Sequence, residues 1–144
     1  MKIREIMTRD LTSVDPDTTV RELISILDKS GLSSIPVVDE DGRVLGIVSE
    51  RDLIEGAVPG YFELLHGASF LPAVDQFSQK LREIQHDPVS LYMTRNTIKI
   101  DEEEDDLAVA DLMIHKSLKM LPVVSKDGIL VGMLRRIDLL KDLL

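Results

Sequence analysis

The amino-acid sequence predicts an α+β fold: two βαββα repeats packed as a pseudo-twofold pair, with a helical insert between them. Three observations predict it. Residues 1–58 align with residues 87–144 without a gap. Each copy runs in the same order through a short strand, an amphipathic helix, a hairpin and a closing helix. Two copies fall short of the three or more that a solenoid needs, so each copy is expected to pack on the other. The register is set by Met7-Thr8-Arg9 on Met93-Thr94-Arg95, Asp15 on Asp101, Leu32 on Leu118 and Pro36-Val37-Val38 on Pro122-Val123-Val124. It continues through Asp41-Gly42 on Asp127-Gly128, Gly46 on Gly132 and Asp52-Leu53 on Asp138-Leu139. The organisation is therefore repeat 1 over 1–58, an insert over 59–86 and repeat 2 over 87–144.

In the first copy, Thr12-Ser13-Val14 reads as a short strand. Thr19-Val20-Arg21-Glu22 is a capping-box signature that opens a helix. Val20, Leu23, Ile24 and Leu27 form its apolar stripe, and Gly31 stands where a C-cap is expected. Ile35 to Val38 is a β-rich run, Asp41-Gly42 a hairpin turn, and Arg43 to Val48 the returning strand. A last helix places Leu53, Ile54, Ala57 and Val58 on one side. The second copy repeats the plan with Ile98-Lys99-Ile100, a stripe of Val109, Leu112 and Met113, the turn Lys126-Asp127-Gly128, and Ile129 to Leu134. Leu139, Leu140, Leu143 and Leu144 line its final helix. The acidic run Asp101 to Asp106 lies before and within a first helical turn, where carboxylates suit the macrodipole. It lacks the alternating ligands and central glycine of a calcium loop.

The insert begins with the turn signal Pro59-Gly60. Val74, Phe77, Leu81 and Ile84 then predict a helix after Pro72. Phe62, Phe70, Phe77 and Tyr61 all fall in this segment. They either cover an edge of the core, or form a dimer contact or a flap over a cleft.

Composition narrows the function classes. The formal charge of −9 argues against a nucleic-acid binder, whose affinity rests on neutralising phosphates. No apolar stretch approaches the ~20 residues of a membrane-spanning helix, and no apolar region follows the first basic residues as in a secretion signal. The absence of cysteine excludes disulfides, thiolate metal sites and cysteine nucleophiles, and fits a cytoplasmic protein. His66, His86 and His115 lack zinc-site spacing, and no nucleophile elbow, P-loop or dinucleotide fingerprint is present. Catalysis is therefore not expected.

The repeat combines Met-Thr near its start, Ile35-Pro36-Val37-Val38-Asp39, an Asp-Gly hairpin and Gly46-Ile47-Val48-Ser49-Glu50-Arg51-Asp52-Leu53. In this order and spacing it resembles a CBS domain, and the tandem resembles a CBS pair, or Bateman module, of the stand-alone prokaryotic type. The resemblance implies two related clefts that take AMP, ADP, ATP or S-adenosylmethionine, a homodimer formed through helices, and no required cofactor. It maps the motif Gly-hydrophobic-x-Ser/Thr-x-x-Asp onto Gly46 to Asp52. Asp52 would accept hydrogen bonds from the ribose diol and Ser49 would contact ribose or phosphate. Thr12, Val14, Ser34, Ile35 and Pro36 would border the adenine. The corresponding positions of the second strand pair are Met120, Leu121 and Pro122. The chemistry is sound on its own terms, since a vicinal diol offers two donors and an ionised carboxylate two acceptor oxygens. The same four residues, Ser49 to Asp52, also read as a helix cap with an acid at its third position.

The second copy departs from the motif, reading Gly132-Met133-Leu134-Arg135-Arg136-Ile137-Asp138. Arg135 replaces the serine. Arg135, Arg136, Arg51 and Lys119 would either meet phosphates in the cleft or form ordinary solvated surface charge. Asp138 remains as a second ribose candidate, and the first cleft is expected to be better formed. The expected function is a non-catalytic regulatory module that binds an adenosine-containing ligand and signals to an unidentified effector protein. The alternative is a dimerisation or interaction adaptor that binds no nucleotide.

Overall fold

The computed structural model describes residues 1–58 and 76–141. Its elements are α1 (Ile3–Ile6), α2 (Val20–Ser30), β1 (Ser34–Val38), β2 (Val44–Ser49), α3 (Glu50–Ala57), α4 (Gln76–Ile84), a 3-10 turn (Val89–Leu91), β3 (Ile100–Asp101), α5 (Asp106–His115), β4 (Met120–Val124), β5 (Leu130–Arg135) and α6 (Asp138–Lys141). Strands β1 and β2 form an antiparallel hairpin, and β3-β4-β5 form a three-stranded sheet. Leu143, Leu144, Val74, Tyr61, Phe62, Phe70 and the Pro59-Gly60 turn lie outside the described residues.

Local signals explain the elements. Thr19 caps α2 by accepting the Glu22 N–H at 3.1 Å, and Gly31 ends it in the left-handed conformation at φ +72. Asp105 caps α5 through the Leu107 N–H at 3.3 Å. Gly42 and Gly128 take φ +86 and +83 in equivalent hairpin turns, a region that favours glycine. Both hairpins slip register at the same place, between Val37 and Val38 and between Val123 and Val124.

Three expectations need correction. The strand expected over Thr12-Ser13-Val14 shrinks to one parallel bridge, Val14 with Val37. Asp10 takes both the N–H and the hydroxyl of Thr12, at 2.9 and 2.6 Å, so a side chain holds the donor a ladder would use. Its counterpart is only the two-residue β3, paired parallel with β4. Ile54 and Val58 were expected on the buried side of α3, yet both are exposed; Leu53 and Ala57 alone reach the core. Leu140 is likewise exposed on α6.

The two copies cross over one another. Ile3, Ile6 and Met7 pack into the core built by Ile100, Val109, Met113, Leu121, Val123 and Leu134. Their counterparts Val89 and Met93 pack with Val14, Val20, Leu23, Ile35, Val37, Val48 and Leu53. Each copy thus lends its leader to the other's core. Paired bonds fasten the exchange: Thr94 bridges Ile47 at 2.8 and 3.0 Å, and Thr8 bridges Met133 at 2.9 and 3.0 Å. A Cβ on Gly46 would overlap the Thr94 carbonyl oxygen, and one on Gly132 the Thr8 carbonyl oxygen. That close backbone approach is why both positions are glycine. The hairpin turns meet at the centre, where Leu130 N–H donates to Gly42 at 2.9 Å and Val44 N–H to Gly128 at 3.2 Å.

Candidate functional site

At the end of β2 the backbone turns into α3 at Ser49. The Ser49 hydroxyl accepts the Asp52 N–H at 3.2 Å and donates to Asp52 Oδ2 at 3.0 Å. The Ser49 N–H donates to the same Oδ2 at 2.8 Å. This is a complete capping box, and it fixes the carboxylate. Among the described residues no donor reaches Asp52 Oδ1, and the side chain is only half-buried.

Asp52 borders a cleft of about 990 Å³ between the two copies. The first copy supplies Ser33, Ser34, Ile47, Ser49 and the first turn of α3. The second supplies the stretch after its Met-Thr, namely Thr94, Asn96, Thr97 and Ile98, and the segment Ser117 to Pro122. The second copy thus supplies an apolar wall of Ile98, Leu118, Met120, Leu121 and Pro122, the carboxylates come from the first copy, and the hydroxyls come from both. The Arg51 guanidinium also lines the cleft but is bonded to Glu55 at 2.8 Å. That partner raises the Arg51 pKa further above its ordinary value.

The equivalent junction in the second copy is wired differently. Asp138 is fully buried. Its Oδ2 accepts the Arg135 N–H at 2.8 Å and Nε at 3.2 Å, and its Oδ1 accepts Arg135 Nη2 at 2.8 Å and pairs with Lys141 Nζ at 3.1 Å. Burial pushes the Asp138 pKa up, but the hydrogen bonds from Arg135 and Lys141 outweigh it and hold it below the usual carboxylate range. Arg135 itself is raised, chiefly by its hydrogen bond to Asp138. Arg136 turns away and donates to the Leu118 carbonyl at 2.8 Å. Among the described residues no group of three histidine or acidic side chains could hold a metal ion.

The sequence profile of the CBS domain matches residues 3–58 and 87–144. The chain belongs to the CBS-domain family.

Relatives place this CBS pair among stand-alone proteins and side modules alike. A CBS domain-containing protein of Dictyostelium discoideum is 32% identical over 138 residues, covering 96% of this chain and 88% of that one. The inosine-5'-monophosphate dehydrogenase of Methanocaldococcus jannaschii is 24% identical over 140 residues, but this chain spans only 23% of that enzyme. Among solved structures, CBSX2 of Arabidopsis thaliana in complex with AMP has the same fold, with a TM-score of 0.74, 23% identity and coverage of 98% of this chain and 94% of that one.

The CBS architecture redistributes the site residues expected from sequence. Ser34, Ser49, Arg51 and Asp52 do line one cleft, and so do Lys119, Met120, Leu121 and Pro122 of the other copy. The family resemblance groups the first copy's Thr12, Val14, Ile35 and Pro36 with Asp52. None of the four lines that cleft, and Val14, Ile35 and Pro36 are buried. The exchange of leaders is the reason: it brings the second copy's start, not the first's, beside Asp52. Gly46 is also absent from the lining, because it serves the crossing by Thr94. Asp138 and Arg135, expected to offer a carboxylate and a free cation, neutralise each other instead. Thr94, Asn96 and Thr97, which the motif does not name, line the same cleft. The repeated Met-Thr was a signal that something holds this segment, but only the interlock shows that it faces the other copy's motif.

Proposed function

We propose that this CBS pair is a non-catalytic regulatory module that binds an adenosine-containing ligand, one of AMP, ADP, ATP or S-adenosylmethionine, in the cleft bordered by Ser49 and Asp52, and signals its occupancy to a partner protein. One observation carries the reading: Asp52 is anchored through Oδ2 while Oδ1 remains without a donor among the described residues, at the edge of a cleft with an apolar wall. A vicinal diol has the two donors that this carboxylate can still accept. Ile98, Met120, Leu121 and Pro122 offer a flat base the apolar contact it needs. The hydroxyls of Ser49, Thr94 and Thr97 and the amide of Asn96 are polar enough for the sugar and its substituent. The AMP complex of CBSX2, a protein of the same fold, supports the ligand class. A ligand held between the copies shifts their arrangement only if it prefers one arrangement, which gives the partner something to read.

The complete capping box favours a second reading, an interaction adaptor whose Ser49 and Asp52 act only on the helix. Titration separates the two. A true ligand at a hundredfold excess over its Kd stabilises the protein by about 2.7 kcal/mol. AMP, ADP, ATP and S-adenosylmethionine are each added in a thermal unfolding series, and the molecule released from purified protein is weighed by mass spectrometry. A stabilisation by at least one of them, abolished in Asp52→Asn, is expected. No shift with any of the four would leave the adaptor.

A further inference from the structure

The junctions at Asp52 and Asp138 differ at several positions together. Ser49, Asn96 and Glu55 stand on the Asp52 side, and their counterparts on the Asp138 side are Arg135, Asp10 and Lys141. The interlock itself is symmetric: Thr8 crosses β5 at Met133 as Thr94 crosses β2 at Ile47. The first copy's leader therefore runs past Asp138 as the second copy's runs past Asp52.

Arg135 meets Asp138 side-on. Its Nε donates to Oδ2 at 3.2 Å and its Nη2 to Oδ1 at 2.8 Å. One donor to each oxygen of a carboxylate is also what a vicinal diol supplies. Lys141 takes a further place on Oδ1 at 3.1 Å. Under these contacts Asp138 is fully buried, whereas Asp52 is half-buried and its Oδ1 has no donor among the described residues. In the first copy Glu55, the counterpart of Lys141, holds Arg51 at 2.8 Å, so that cation is bonded away from Asp52.

Capping does not account for Arg135. A guanidinium has no acceptor and cannot take the place of the Ser49 hydroxyl on a helix N–H. The exchange of Asn96 for Asp10 fits the arginine instead. Asp10 accepts the N–H and hydroxyl of Thr12 at 2.9 and 2.6 Å. The Thr12 hydroxyl, then its N–H, hold Asp10 below the usual carboxylate range, and the Arg135 charge adds to this. Arg135 is raised first by Asp138 and also by Asp10. A cation and an anion thus share one cleft, at positions where the other cleft has two neutral side chains.

We propose that Arg135 is a built-in occupant of the second cleft. It stands on Asp138 where a ribose would, so each chain takes one adenosine-containing ligand, at Asp52, and none at Asp138; this rests on reading the Asp52 cleft as an adenosine site. A free diol competes poorly, because its hydroxyls are neutral while the guanidinium bonds are charge-assisted. The arginine is also tethered, and gives up no translational freedom to bind. The module then responds through a single site, with no second cleft to compete for or cooperate in binding.

Isothermal titration calorimetry of the full chain tests this, with AMP, ADP, ATP and S-adenosylmethionine as separate titrants. The wild type is expected to take up one equivalent of at least one of them. Arg135→Ser with Lys141→Ala rebuilds the first copy's serine cap at the second junction, and should raise uptake of that titrant to two equivalents. Adding Asp52→Asn to this variant should weaken one of the two by about tenfold or more and leave the other. Circular dichroism checks that each variant is folded. A second measurement needs no altered chain at the point of binding. The Arg135 Nε–H signal in nitrogen-edited NMR spectra, identified by its loss in Arg135→Lys, should keep its position when the titrant saturates the wild type. Two equivalents in the wild type, or a displaced Arg135 signal at saturation, overturns the proposal. A folded Arg135→Ser, Lys141→Ala variant that still takes one equivalent overturns it too. No uptake of any titrant by the wild type instead sinks the adenosine reading of the Asp52 cleft, and the proposal falls with it.

Discussion

At the scale of single residues, the two aspartates of the repeat have parted ways. Asp52 keeps an oxygen without a donor among the described residues, at a cleft; Asp138 is buried under four contacts from Arg135 and Lys141. Their asparagine variants should therefore fail differently. Asp52→Asn should lower affinity for the adenosine ligand by tenfold or more while the loss of cap costs about 1 kcal/mol or less, read by calorimetry and by urea unfolding. Asp138→Asn should leave ligand affinity nearly intact and cost about 1–3 kcal/mol of stability, because a buried charge-assisted network loses its acceptor. Asp138 also carries a pH signature. Its native pKa lies below the unfolded value of ~3.9, so its contribution is present above that pH and is lost as pH falls through the native value. Urea midpoints at pH 7 and pH 3 should fall less steeply for Asp138→Asn than for the wild type. The sequence showed both aspartates and the Arg135 substitution. It did not show that Arg135 would turn back on Asp138, because an arginine at a helix start reaches its own third residue as readily as a phosphate, and only the fold decides between them.

At the scale of elements, the hairpins, the two long helices and the caps of α2 were legible, since Thr19, Gly31 and the Asp-Gly turns act through local backbone chemistry. The short opening strands were not, because Asp10 captures the donors of Thr12 locally and a two-residue β3 leaves no period to read. The clasp between Thr94 and Ile47 was equally invisible, being a contact between segments far apart in sequence. It gives a sharp prediction. Gly46→Ala and Gly132→Ala each force a methyl group against a carbonyl of the other copy, and each should cost about 1–3 kcal/mol or more, measured as a lower urea midpoint. Gly31→Ala places its methyl in open space, so its cost should be limited to the backbone conformation. Tyr92 offers a second check. Burial, followed by its 2.7 Å hydrogen bond to Asp87, pushes its phenol up to about 12. Its neutral form stabilises the fold below pH ~10, and that contribution disappears as pH rises through about 12. In a Tyr61→Phe background, phenolate absorbance should stay absent through pH 11 and appear only near the alkaline transition.

At the scale of the whole molecule, the repeat in the sequence and the halves in space are not the same units. Residues 1–58 make a continuous copy, yet their core lacks Val89 and Met93, while their own Ile3, Ile6 and Met7 belong elsewhere. A fragment of residues 1–58 should therefore show no cooperative melting by circular dichroism, nor should 87–144, while an equimolar mixture should recover part of the native signal. Pseudo-twofold packing was predictable from the gapless alignment; the exchange was not, because both arrangements bury the same residue types. The exchange also bears on synthesis. The leader carrying Ile3, Ile6 and Met7 leaves the ribosome long before Met133 and Leu134, which complete its pocket. One half closes once Val89 and Met93 have emerged, but the half that takes up Ile3, Ile6 and Met7 waits for Leu134, so the nascent polypeptide keeps that greasy leader uncovered through most of translation. Slow elongation through β5, or a chaperone holding the leader, would then govern yield more than any single native contact.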